Sequence, residues 1–89
     1  MIITQNGRSI LKPELVGYSS LIVYLSGNDG GATIKLQYRD EFNEFIDLED
    51  GQLTVGSQDI VSCGHGGIVY LLVEGGNSDL ELSVITRGI

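Results

Sequence analysis

The chain is poor in the residues that helical and disulfide-stapled proteins need. Its 89 residues include one alanine (Ala32), one proline (Pro13), one cysteine (Cys63) and no tryptophan. Alanine is the best helix former, whereas valine and isoleucine lose side-chain freedom in a helix. With 17 valines and isoleucines against that one alanine, a helical bundle or coiled coil is excluded. A lone cysteine forms no internal disulfide, so the staples of a small secreted domain are missing. Bases are few as well, five against twelve acids, for a net charge of −7. Nucleic-acid binding needs a basic footprint, and the expectation is no nucleic-acid partner. The longest nearly uninterrupted apolar run, residues 68–73, is far short of the roughly 20 residues of a membrane-spanning helix. The opening MIITQNGRSILKPEL lacks a basic start followed by an apolar stretch of about 7–15 residues. No signal peptide and no membrane partner are expected, and synthesis is expected in the cytoplasm.

What is present points to strands. Hydrophobic residues make up 42% and charged ones 19%, a balance that favours a folded chain over a disordered one. Thirteen glycines are about twice the usual share. Apolar runs recur along the chain, punctuated by Gly, Asn, Asp and Ser, as in sandwiches and barrels. The length allows one thin core, burying roughly 60–65% of the unfolded surface. The expected fold is all-β, a single small antiparallel β-sandwich, Ig-like or jelly-roll-like, of about seven strands. Residues 1–12 are expected to form an N-terminal arm or edge strand, and residues 13–89 the sandwich domain.

Individual strands are legible. A first strand is expected near residues 2–4 or 9–11. Residues 19–26 (SSLIVYLS) are apolar on both faces, as a central strand would be. Residues 32–39 alternate cleanly, with Ala32, Ile34, Leu36 and Tyr38 on one face and Thr33, Lys35, Gln37 and Arg39 on the other. A turn over residues 40–44 leads to a short strand at 45–49, closed by Asp50-Gly51 as a turn dipeptide. Phe42, Phe45 and Ile46 have helical spacing, but eleven residues with turn-like ends favour the strand reading. Residues 52–55 and 57–62 read as weak strands, or as one strand broken at Gly56. Residues 68–74 (IVYLLVE) form another central strand, and 79–86 the last. There Leu80, Leu82 and Val84 face in, and Glu81 and Ser83 face out.

No catalytic constellation emerges, and the expectation is no enzyme and no cofactor. Cys63-Gly64-His65 holds the only thiol and the only imidazole. A nucleophile needs a base that a third group orients, and structural zinc needs four such ligands. A glycine-rich connection with Cys63 as a small hydrophobe accounts for the sequence better. Six of the twelve acids, Asp40, Glu41, Glu44, Asp47, Glu49 and Asp50, crowd into eleven residues. Such density suits Ca²⁺, but the EF-hand spacing and its glycine are absent, and a solvated loop is the favoured reading. The phosphate-loop pattern is missing. No aromatic platform marks a sugar-binding face, since Tyr24, Tyr38 and Tyr70 lie within strands where packing is expected.

The order ATIKLQYR, acidic turn, FIDL, a glycine-bounded crossing at 51–61, GIVYLLVE, Gly75-Gly76 and LELSVI covers about two-thirds of the chain. It resembles the small β-sandwich virion proteins encoded beside capsid and tail genes in tailed bacteriophages, departing from them in having no tryptophan. The resemblance implies a non-enzymatic structural role in the virion, foremost as a capsid decoration or cement protein. Implied partners are the chain itself, as a homotrimer or other symmetric oligomer, and the major capsid protein or other virion proteins. A neck, tail or fibre-attachment accessory is the alternative within that class. A small module binding carbohydrate or a host surface is the alternative outside it. Ile2, Ile3, Ile10 and Leu11 lie in a segment without evident pairing, and Ile85 and Ile89 fall off the inward face of the last strand. These six are the candidate interface, with residues 1–12 expected to reach a neighbouring sheet or the capsid.

Overall fold

The computed structural model describes residues 1–11, 20–56, 58–62 and 68–88. Eight strands follow one another: β1 (Ile2–Ile3), β2 (Gly7–Ile10), β3 (Ser20–Asn28), β4 (Thr33–Arg39), β5 (Phe45–Leu53), β6 (Gln58–Ser62), β7 (Val69–Glu74) and β8 (Glu81–Gly88). They form two four-stranded antiparallel sheets. Sheet A has the order β1-β8-β3-β6, and sheet B the order β2-β7-β4-β5. First pairs with last, second with seventh, third with sixth and fourth with fifth, like one long hairpin rolled up. The roll then adds β3 to β8 and β4 to β7. This nested order is that of a jelly roll, so the sandwich is jelly-roll-like rather than Ig-like. It has one strand more than the seven expected, because residues 2–10 contain two strands. Ile2 and Ile3 pair with Ser83 and Leu82, and Gly7 to Ile10 pair with Val73 to Tyr70. The segment expected as an arm or edge strand thus lends one edge strand to each sheet of its own chain.

Strand alternation builds the core. Leu21, Val23 and Leu25 of β3 and Leu82 and Val84 of β8 face Ile34 and Leu36 of β4 and Leu71 and Val73 of β7. At least 90% of each of these side chains is withdrawn from water, at a gain of about 1.5–3 kcal/mol per fully buried aliphatic side chain. Ile3 and Leu11 belong to the same cluster.

Two turns differ from, or refine, the expectation. Asn43 N–H donates to the Asp40 carbonyl, and Asp40 N–H to the Glu44 carbonyl, enclosing a three-residue loop. Asn43 sits at φ 63°, the left-handed position such a loop requires. There is no helical turn here; Phe42 is exposed at the loop tip and Phe45 opens β5. Asp50-Gly51 does not end a strand. Lys35 pairs with Gln52 but Gln37 pairs with Asp47, so Leu36 alone stands opposite residues 48–51 in a wide bulge. A Cβ on Gly51 would lie 2.9 Å from the Leu48 carbonyl oxygen and 3.1 Å from that of Leu36. The glycine therefore permits close backbone approach inside β5, which joins the short strand expected at 45–49 to the start of the weak one expected at 52–55, while β6 (Gln58–Ser62) is a separate strand.

One end of the sandwich is tied by side-chain amides. Asn6 donates to the Gly76 carbonyl at 2.8 Å and accepts from Gly76 N–H at 2.7 Å, mimicking a strand pair between the β1–β2 and β7–β8 connections. Asn77 N–H donates to the Gly30 carbonyl, joining the β3–β4 turn to the same end.

Candidate functional site

The outer faces of the two sheets are the surfaces that distinguish this chain, and they differ in kind. The middle of sheet B covers itself. Arg8 of β2 reaches across the sheet, where its Nε donates to Gln37 Oε1 at 3.0 Å. Its guanidinium carbon lies 3.6 Å from the ring centroid of Phe45, with Arg39 at 4.7 Å. Tyr70 meets Phe45 edge to face at 5.0 Å. A guanidinium near an aromatic ring is attracted by the ring quadrupole while its stem shields apolar surface. Leu72 stands between its register partners Arg8 and Lys35 and is only 9% exposed, although it points outward.

Gln37 extends this cover into an ionic relay. Its Nε2 donates to Asp47 Oδ1 at 2.7 Å, and Lys35 Nζ donates to Asp47 Oδ2 at 3.3 Å while lying 3.9 Å from Glu74. Gln37 is buried, at 6% exposure, on the face expected to be wet. The cause is Arg8, whose approach depends on a strand order that local alternation does not reveal. The hydrogen bond from Gln37 holds the Asp47 carboxyl below its ordinary value against partial desolvation, with lesser help from the hydrogen bond and charge of Lys35. A depressed acid stabilises the fold above its unfolded pKa, and that contribution fades as pH falls through the folded value. Asp47 is exposed, so the effect stays below about 1 kcal/mol. Asp47→Asn is therefore expected to lose less stability than the parent as pH falls below the ordinary carboxylate value of 3.8, as measured by urea melts at stepped pH.

Among the described residues, the outer face of sheet A is open over β1, β3 and β8. Ile2 is 65% exposed, Ile85 61% and Tyr24 41%, with Ile22 half-buried beside them. Tyr24 stands opposite Ile85 in the β3–β8 ladder, while Ile2 is opposite Ser83, one row away. A depression of about 220 Å³ lies among Ile22, Tyr24, Ile85, Thr86 and Arg87. Tyr24 is thus a surface residue of a central strand, not a packed one.

The six candidate interface residues separate accordingly. Ile2 and Ile85 share the open face of sheet A. Ile10 is exposed on β2, at the edge of sheet B. Ile3 and Leu11 are corrected to core positions, at 8% and 2% exposure, because alternation turns Ile3 inward beside Leu82 and Leu11 N–H bonds the Val69 carbonyl. Ile89 lies outside the described residues, as do Cys63 and His65. Within the acidic stretch, Asp40 Oδ1 accepts from Phe42 N–H and Glu44 N–H, which makes it a turn former. Asp47 is engaged by Gln37 and Lys35. Among the described residues, no three His, Cys, Asp or Glu side chains converge in a metal-holding group.

The fold and these faces define a class, a small antiparallel jelly-roll sandwich with one open apolar face. No protein-family model, no curated protein and no solved structure matches the chain.

Proposed function

We propose that the protein is a non-enzymatic structural component of a bacteriophage virion, foremost a decoration or cement protein of the head shell. It works by packing a sheet face against copies of itself and against virion proteins. The observation that carries this reading is the open face of sheet A, where Ile2, Tyr24 and Ile85 expose apolar surface on rigid, paired strands. Apolar patches of this kind on small domains mark interaction surfaces. The contrast with sheet B adds weight, since there the Phe45 ring is covered by Arg8 and Arg39 and Leu72 is buried between Arg8 and Lys35, with Ile10 exposed only at the edge. Jelly-roll order recurs in viral capsid domains, although lectins and cupins share it, so the fold supports the reading by analogy only. A domain this small also gains stability from contacts that bind only its folded form.

The test is fractionation of particles produced from the encoding genome, with the chain detected by antibody and by mass spectrometry. The expected result is co-sedimentation with intact heads at a fixed ratio to the major capsid protein. Co-sedimentation with isolated tails alone supports the neck or tail assignment in its place. Absence from particles, together with glycan-array binding, overturns the structural reading in favour of the carbohydrate-binding module.

A further inference from the structure

We propose that the open face of sheet A binds the same face of a second copy, about a two-fold axis that lies between the sheets and crosses the strands at right angles. The proposal rests on the reading of this face as a contact surface, but not on the virion assignment. The register of β3 on β8 arranges the face in four rows: Asn28 with Glu81, Ser26 with Ser83, Tyr24 with Ile85, and Ile22 with Arg87. Along β3 and β8 the rows are acidic, small, large and basic in turn, with Ile2 of β1 flanking Ser83 in the second. Glu81 and Arg87 are both exposed, and neither forms an ion pair among the described residues.

A two-fold axis midway between the Ser83 and Ile85 rows lays each strand antiparallel on its own copy. Ile85 then meets Ser83 of the second molecule, and Tyr24 meets Ser26. Arg87 meets Glu81, and by symmetry Glu81 meets Arg87. Large over small is what two faces need to close to the roughly 10 Å spacing of packed sheets. Isologous contacts require this self-complementarity, in which each residue finds its partner twice. The alternative axis, parallel to the strands, keeps each row over itself, so that Glu81 and Arg87, which lie in different rows, never meet. Charge therefore selects the antiparallel arrangement, and it matters more in a chain whose net charge of −7 otherwise opposes association. Only β3 and β8 run about 25 Å along this face, flanked by the shorter β1 and β6, and together they offer on the order of 350 Å² per copy. That places the pair among weak, transient interfaces, with dissociation visible on dilution.

The experiment is analytical ultracentrifugation of the full chain across a concentration series, with charge swaps. Wild type is expected to approach twice the chain mass. Glu81→Arg and Arg87→Glu, each alone, are expected to weaken the dimer roughly tenfold or more, because each places two like pairs in contact. An equimolar mixture of the two variants is expected to restore it as a heterodimer, as is the double swap within one chain. Ile85→Asp is expected to give a monomer whose thermal melt shows the fold intact, since Ile85 is exposed. A wild-type monomer at all concentrations, a trimer, or a dimer indifferent to the swaps overturns the proposal. If Ile85→Asp still abolishes particle association of a monomeric wild type, the face serves the shell instead, and only the two-fold pairing is lost.

Discussion

Leu82→Ala is expected to remove about 3–5 kcal/mol of stability, the range seen when a fully buried leucine leaves a cavity that its surroundings cannot fill. Leu82 has no exposed surface and sits where the sheet can least relax. Its strand, β8, is an interior strand of sheet A, and Leu82 pairs with Ile3 on one side and Gly27 on the other. Gly27 has no side chain to move into the vacated space. An 89-residue domain holds roughly 4–13 kcal/mol in all, so this change alone uses a large share of it. At about 4–8 °C per kcal/mol, the melting temperature should fall by at least roughly 12 °C. The control is Ile85→Ala, three residues along the same strand and 61% exposed, which should shift stability by no more than about 0.5 kcal/mol when both variants are melted at concentrations too low for copies to pair. Equal melting temperatures for the two variants would mean that the inward and outward faces of β8 have been misassigned.

Gly27→Ala should cost about 3 kcal/mol for a different reason, a conflict of backbone with backbone. Gly27 lies within β3 at φ +101°, a region L side chains rarely adopt, and its missing Cβ points at the backbone carbonyl of Glu81. Strain of about 1–2 kcal/mol and a clash of similar size add together, because neither group is the movable end of a side chain. Gly31 supplies the comparison. It also has positive φ, +79°, but a Cβ there would meet nothing within 4 Å. Gly31→Ala should therefore carry the backbone strain alone, about 1 kcal/mol. Urea denaturation of the two alanine variants reads the difference directly. If they unfold at the same midpoint, the close approach of β3 to β8 at Glu81 is not as described.

These contrasts show which features could be read from the chain and which could not. The alternation of Leu80, Leu82 and Val84 against Glu81 and Ser83 is local, and burial follows it. Ile85 breaks that alternation by its position, and its exposure follows as well. Ile2 and Ile3 were harder, because a two-residue strand has no period to measure; only pairing with β8 decides which isoleucine turns in. Gln37 had the local signature of a wet position, and a residue 29 positions away covers it. Asp50-Gly51 carried authentic turn chemistry, yet Gln52 and Leu53 resume pairing with Lys35 and Ile34, so the dipeptide bends a strand instead of ending it. The open face of sheet A was half visible, in Ile2 and Ile85. Its other half, Tyr24, appears only when β3 is placed against β8.

The rolled-hairpin topology also sets an order in time. β8 is the strand that holds both β1 and β3 in sheet A, yet it occupies residues 81–88. Until those residues have left the ribosome, β1 has no partner and β3 can pair only with β6. Sheet B needs β7 in the same way before β2 and β4 are joined. Four of the six strand pairings thus wait for the last quarter of these 89 residues, and the closing contacts span most of them. Such distant contacts fold on the slow side, in milliseconds to seconds for all-β domains. During that interval the edge of β3 is exposed to other nascent copies, and a chain with many neighbours being made at once would depend on its charge of −7 to keep unfinished sheets apart.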